Sequence, residues 1–191
     1  MLWEKTNQVF NYLPLAATID DVIFCVHGGI PRPMNGRATT PLELFDRVPV
    51  PYELTPAPSP EDDLEVKQLV TDLLWSDPAR NQQEAHLDPN GFGEGERGPG
   101  AVCYGQKAVE EFIRNNGLSH ILRAHEPTAS GVSVRKGAKV ITIFSTSRVG
   151  LAITIYTYTY ICIFHILFLF HILFLFLFLF LSIHTCIDFA C

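Results

Sequence analysis

Three polar side chains in this sequence have the chemistry and the setting to bind a metal ion or a phosphate group. His27 follows the apolar run Val22–Val26 and precedes two glycines, and His125 follows the short apolar pair Ile121–Leu122. Neutral imidazoles at strand ends are good ligands for divalent metals, because the neighbouring backbone fixes their orientation. Arg97 lies in a glycine-rich loop. The backbone of such a loop can approach a ligand closely, and a guanidinium can bind phosphate oxygens with two parallel hydrogen bonds.

Each of the three residues also has a purely structural interpretation. A lone histidine at a strand end is more often a hydrogen-bonded part of the framework, and a lone arginine in a glycine-rich loop is more often solvated. The spacing of the three residues along the chain does not by itself join them into one site.

The elements that must position these residues alternate between short strands and helices. Apolar side chains at helical spacing predict a helix over Leu2–Leu13, and a second over Pro60–Leu74 or Glu61–Leu74 with acidic residues in its first turn. The clearest helix is predicted over Gln106–Asn116, with Gly117 as its stop. Strands mixed with helices, and loops that carry His and Arg, indicate an α/β or α+β layered domain. The other expectations are strands over Val22–Val26 and Ile121–Leu122, a proline-rich excursion over Pro31–Pro60 with at most a short helix near Leu42–Arg47, a loop over Asn90–Gly100, and a hairpin of Val132–Val134 with Val140–Phe144.

Charge and cysteine usage exclude several classes of function. The 191 residues carry a net charge of −6 and no cluster of Lys and Arg, which argues against nucleic-acid binding because that needs a cationic face. The five cysteines form no CxxC pair, which fits reduced, buried thiols better than a disulfide framework or a zinc knuckle. The first residues contain no apolar segment typical of a secretory signal.

Five segments of the sequence form a series of recognisable motifs. They are FNYLPLAATIDDVIFCVHGGI (Phe10–Ile30), LLWSDP (Leu73–Pro78), GFGEGERGPGAVCYG (Gly91–Gly105), RAH (Arg123–His125) and VITIFS (Val140–Ser145). Taken in order, these segments resemble the C-terminal half of the metal-dependent serine/threonine protein phosphatases of the PPP (calcineurin-like) family. The match extends over Leu2–Ser147, and five motifs in the right order are far more specific than any one of them.

The resemblance implies a fold, a reaction and a role for four residues. It implies a sandwich of two β-sheets flanked by helices, with two divalent metal ions (manganese, iron or zinc) at the strand ends. These ions share a hydroxide that attacks the phosphorus of a phosphoserine or phosphothreonine in a protein substrate. Carried over to this sequence, His27 and His125 would be metal ligands, Arg97 would be a catalytic residue that binds the phosphate, and Asp77 would support it. Regulatory subunits and a cytoplasmic or nuclear location are further implications of the resemblance.

The sequence also departs from the family pattern. The GDxHG, GDxxDRG and GNHE motifs, which carry the family's other metal ligands, do not occur among the 191 residues, and the pattern breaks off after Ser145. Two histidines cannot hold two cations, because such sites need anionic bridging ligands. We therefore expect residues 1–147 to be a partial catalytic domain, truncated and inactive alone. A non-catalytic binding module and a tail-anchored membrane protein are the alternatives.

Residues 148–191 form an apolar, low-complexity tail. The run Leu151–Leu181 has no charged residue and exceeds the roughly 20 residues that cross a bilayer as a helix. The sequence FHILFLF occurs twice in succession, and Tyr alternates with Thr over Tyr156–Tyr160. Such regularity is typical of translated simple-repeat DNA, so the tail is interpreted as read-through intron sequence, with a C-terminal membrane anchor as the alternative.

Overall fold

The computed structural model describes residues 2–34, 37, 40–53 and 63–144, and the predictions made for residues 145–191 lie outside this part of the chain. Its strands form two sheets, one of five strands and one of three. No helix among the described residues is long and apolar enough to cross a membrane. The elements are α1 (Leu2–Phe10), β1 (Ala16–Ile19), β2 (Ile23–Val26), a 3₁₀ helix (Leu42–Arg47), α2 (Leu64–Trp75), β3 (Asp77–Pro78), a 3₁₀ turn (Glu84–His86), β4 (Phe92–Glu94), β5 (Val102–Tyr104), α3 (Gln106–Asn115), β6 (His120–Arg123), β7 (Val132–Arg135) and β8 (Val140–Ile143).

The five-stranded sheet has the order β1-β2-β6-β8-β7. Its three central strands β2, β6 and β8 run parallel, and antiparallel β1 and β7 close the two edges as hairpin partners. In the smaller sheet, β5 lies between parallel β3 and antiparallel β4. The observed mixture of helices and two sheets confirms the predicted α/β fold class.

Both sheets and two helices share one hydrophobic core. Along β2 the side chains alternate, with Phe24 and Val26 in this core and Cys25 on the opposite face with Leu122, as the two-residue period of a strand requires. The rings of Phe24 and Phe112 meet edge to face with centroids 5.1 Å apart, which joins the large sheet to α3.

The two main helices have clear start and stop signals. Asp63 is the N-cap of α2, and its carboxylate accepts hydrogen bonds from the amides of Glu65 and Val66. At the end of α3, Gly117 has a φ of +67°, and the amide of Leu118 donates to the carbonyl of Ile113. This is the Schellman arrangement that glycine favours, so the predicted stop at Gly117 is confirmed.

Several elements differ from the sequence expectations. α1 ends at Phe10 rather than Leu13, and α2 begins at Leu64, while residues 54–62 are outside the described part. The predicted loop over Asn90–Gly100 contains β4, which pairs with β5, and β1 was not expected. Asp20 and Asp21 have φ values of 50° and 55° and make the tight turn that folds β1 back on β2.

Candidate functional site

Two parallel neighbouring strands bring the histidines together. β2 and β6 pair in parallel, so their carboxyl ends lie at the same edge of the sheet, and His27 and Ala124-His125 directly continue them. The pairing continues one step past the strands, since the Ala124 amide donates to the His27 carbonyl at 3.1 Å. The ring atoms His27 Nε2 and His125 Nδ1 are 3.0 Å apart, and both side chains are buried.

Burial keeps both imidazoles neutral. It lowers the pKa of His27 to about 4, with smaller contributions from the positive charges of Arg123 and Arg97 that outweigh the opposing effect of Asp77. Burial also lowers the pKa of His125 to about 2, and His27 and the same two arginines add to the shift. A neutral ring keeps one nitrogen lone pair, which is the form that binds metal ions.

The backbone at His125 is strained. Its φ is +65°, a left-handed conformation that costs a non-glycine residue about 1–3 kcal/mol and tends to occur at functional sites. The ring of Trp75, at the end of α2, meets the His125 imidazole edge to face with centroids 5.5 Å apart. The turn after β6 therefore has a strained backbone conformation, and in this conformation the His125 side chain meets His27 at the end of β2.

The predicted phosphate-binding arginine lies beside the histidines. Arg97 Nε donates to Asp77 Oδ2 at 2.8 Å, and Arg97 Nη2 reaches the backbone carbonyl of His125 at 3.4 Å. The loop that carries Arg97 has a second contact at Gly100, whose carbonyl accepts a hydrogen bond from Arg32 Nη2 at 3.0 Å. The structure thus brings together the four residues predicted from the sequence, His27, His125, Arg97 and Asp77, while their chemical roles stay predictions.

Sequence reasoning missed one residue at the centre of this group. Arg123 is fully buried, and its guanidinium joins the turn after β2, the start of β3 and the end of β6. A charged residue gives no hint of burial in a hydrophobicity pattern. The signal that could have found it is its place in the Arg123–His125 motif, directly after an apolar strand.

A metal site can be tested against the donors that are present. Two imidazole nitrogens bound to one ion at about 2.1 Å, at right angles, would be about 3 Å apart, which is the separation of His27 Nε2 and His125 Nδ1. Among the described residues no group of three or more His, Cys, Asp or Glu side chains is placed to hold a metal ion. The pair therefore fits two positions around one ion, whereas the described residues do not make a site for two ions.

Comparisons with known proteins identify the family of this chain. The profile of the family described as "Calcineurin-like phosphoesterase" matches residues 1–129. The chain is 36% identical over 147 residues to "Serine/threonine-protein phosphatase BSL2" of Arabidopsis thaliana, covering 77% of this chain and 13% of that protein. It is 32% identical over 145 residues to a protein phosphatase 2A catalytic subunit of Dictyostelium discoideum, covering 75% of this chain and 39% of that protein.

The fold of the chain is also similar to that of a solved phosphatase structure. The chain superposes with a TM-score of 0.53 and 30% identity on a protein serine/threonine phosphatase from Saccharomyces cerevisiae with similarity to human phosphatase PP5. The superposition covers 73% of this chain and 36% of the yeast chain. The sequence thus spans well under half of the length of each of these similar proteins.

Proposed function

Since the chain belongs to the calcineurin-like phosphoesterase family, we propose that its described part carries the metal- and phosphate-binding half of a protein serine/threonine phosphatase site. The observation that carries this proposal is the His27–His125 pair, 3.0 Å apart and next to Arg97. Two neutral imidazoles beside a guanidinium combine ligands for a cation with a donor for phosphate oxygens.

Each residue then has a distinct role. His27 and His125 are two ligands of one divalent ion, of which manganese, iron and zinc are the candidates. Arg97 binds the phosphate group of the substrate, and Asp77 fixes the orientation of Arg97 through its Nε. When bound, the family's divalent ions supply positive charge against the developing phosphoryl oxyanion and lower the pKa of a bound water.

We propose further that residues 1–147 of this chain do not hydrolyse phosphate esters alone. Two neutral nitrogens offer no negative charge to bridge two cations, and the carboxylate-bearing GDxHG and GDxxDRG motifs do not occur in the 191 residues. The proposed substrates of the complete site are phosphoserine and phosphothreonine proteins in the cytoplasm or nucleus, selected with the help of regulatory subunits.

The same pair of donors favours a second candidate function, a non-catalytic module. A chain that holds one ion through two imidazoles and an anion through Arg97 would bind phosphoproteins without turnover. Both candidates bind a metal ion, so metal binding does not separate them. Only the first predicts hydrolysis of a phosphate ester once the missing metal ligands are supplied.

The test measures the affinity of the full chain for Mn²⁺ and Zn²⁺ by isothermal titration calorimetry. His27→Ala and His125→Ala should each weaken binding about tenfold or more, since a lost ligand removes one of few metal bonds. His86→Ala is the matched control, because His86 is an exposed histidine on a 3₁₀ turn. Equal affinity in wild type and in the double variant would contradict the ligand assignment. Mn²⁺-dependent phosphopeptide hydrolysis by the chain, abolished in His125→Ala, would contradict the proposed inactivity.

A further inference from the structure

Arg123 has an unusual position for a charged residue. Its side chain has no exposed surface, and its guanidinium donates hydrogen bonds to four separate segments of the chain. Removing a charge from water is costly unless other groups replace the lost hydration, so a buried arginine needs such a set of partners. Its hydrogen-bond acceptors are the Gly28 carbonyl (from Nε), Ser76 O (3.4 Å) and Asp77 Oδ1 (2.8 Å) from Nη2, and Glu126 Oε2 (2.6 Å) and Thr142 Oγ1 (3.4 Å) from Nη1.

Asp77 is shared between two arginines. Its Oδ1 accepts from Arg123 Nη2 at 2.8 Å, and its Oδ2 accepts from Arg97 Nε, also at 2.8 Å. Each carboxylate oxygen therefore holds a different guanidinium. Because Arg123 is buried and fixed by four further acceptors, it also fixes the rotation of the Asp77 carboxylate, and through it the plane of Arg97.

The charges of this cluster leave a positive surplus. Arg97, Arg123 and Arg135 contribute three positive charges, and Asp77 and Glu126 contribute two negative charges, so the linked groups have a net charge of +1. Without Arg123 the same groups would be neutral as a set, and the whole charge of Asp77 would face Arg97. A neutral cluster attracts an anion much less than a positive one, and solvent screens the charges of Arg123, Asp77 and Glu126 only weakly because these side chains are largely buried.

We infer that Arg123 is a positioning residue for phosphate: by holding Asp77 Oδ1 and offsetting its charge, it keeps Arg97 both oriented and attractive to a phosphate anion. This inference rests on the proposed role of Arg97. Arg123 acts through Asp77 and does not touch the phosphate. A purely structural role would instead stabilise the fold without any dependence on the charge of Asp77.

The experiment measures phosphate binding at Arg97 in the full chain. Phenylglyoxal modifies arginines, and peptide mass spectrometry gives the rate at Arg97, with exposed Arg80 as an internal reference. The inorganic phosphate concentration that halves the rate at Arg97 gives the affinity of the site. Alkylation of buried Cys25 by iodoacetamide detects unfolding in the same samples.

The variants separate a charge effect from a structural one. Arg123→Gln should weaken phosphate protection about tenfold, because one nearby unit charge is lost. Arg123→Lys keeps that charge and should stay within about threefold of wild type. The double variant Arg123→Gln/Asp77→Asn should recover most of the lost affinity, since it removes the carboxylate charge that Arg123 offsets. Glu126→Gln is the matched control, because it removes one negative charge from the cluster and leaves both pairs of Asp77, with Arg97 and with Arg123, in place; it should not weaken protection.

The outcomes separate failure of this inference from failure of the proposed function. Absence of protection in wild type would overturn the phosphate role of Arg97 and this inference with it. Protection in wild type that is unchanged in Arg123→Gln, or not recovered in the double variant, would overturn the inference alone. If Arg123→Gln unfolds, as Cys25 alkylation would show, Arg123→Lys is compared with wild type. A loss of protection beyond about threefold in folded Arg123→Lys, which keeps the positive charge beside Asp77, would overturn the inference.

Discussion

The glycine after His27 is a position where one added methyl group should be costly. A Cβ at Gly28 would lie 2.6 Å from the carbonyl carbon of Leu74 and 2.8 Å from the amide nitrogen of Trp75, and both are backbone atoms of α2. The backbone there cannot withdraw easily, because the Gly28 amide donates to the Leu73 carbonyl at 2.8 Å. Gly28→Ala must therefore push the turn after β2 away from the end of α2.

The expected cost follows from overpacking. Inserting a methyl group into a packed site costs about 1–3 kcal/mol, and the upper end applies here because the clash is with backbone and not with a flexible side chain. A loss of about 3 kcal/mol lowers the urea midpoint by about 1.5 M when the slope is about 2 kcal/mol/M. Unfolding can be followed by the fluorescence of Trp75, whose ring packs against His125.

Gly117→Ala is the matched control for this prediction. Nothing lies within 4 Å of a Cβ at Gly117, but its φ is +67°. That variant should therefore lose only about 1 kcal/mol, the cost of placing alanine in a left-handed conformation. Mn²⁺ affinity should fall in Gly28→Ala and not in Gly117→Ala, since only the first displaces His27. Equal losses of stability in the two variants would refute the steric reasoning.

Two further predictions concern buried ionisable groups. Burial raises the pKa of Cys25 to about 12, above its unfolded value of 9.0, so the unfolded thiol ionises first and stability falls as pH rises from about 9 to about 12. The loss of unfolding free energy attributable to Cys25 is about 1.4 kcal/mol at pH 10. In urea titrations at several pH values, the unfolding free energy of Cys25→Ala should therefore fall less steeply above pH 9 than that of wild type. Equal falls in the two proteins would contradict the raised pKa of Cys25. Asp72 is fully buried and binds Arg32 through both carboxylate oxygens, so Asp72→Ala should cost about 1–3 kcal/mol by removing these charged hydrogen bonds from a half-buried arginine. Glu65→Ala, which breaks an exposed pair with Arg47, should leave the urea midpoint nearly unchanged, and similar losses in both variants would count against the role of burial.

Local patterns predicted the elements that have strong local signals. α3 was found from apolar residues at helical spacing and a terminal glycine, and the β7–β8 hairpin from apolar runs on either side of Lys136–Gly137. β3, β4 and β5 were missed because strands of two or three residues are too short to show a period. The hairpin of β1 was missed because its turn uses two aspartates in left-handed conformations, where glycine is the usual signal.

Residue types and motif order were enough to identify the family and to predict which side chains bind metal and phosphate. His27, His125, Arg97 and Asp77 can all be found in the sequence, since residue type and motif are local properties. Their proximity required the fold: two histidines 98 residues apart lie 3.0 Å from each other because β2 pairs in parallel with β6. The fold likewise buries Arg123 and pairs it with Asp77. Burial and charge pairing arise from contacts between distant segments, and no local pattern in the sequence encodes them.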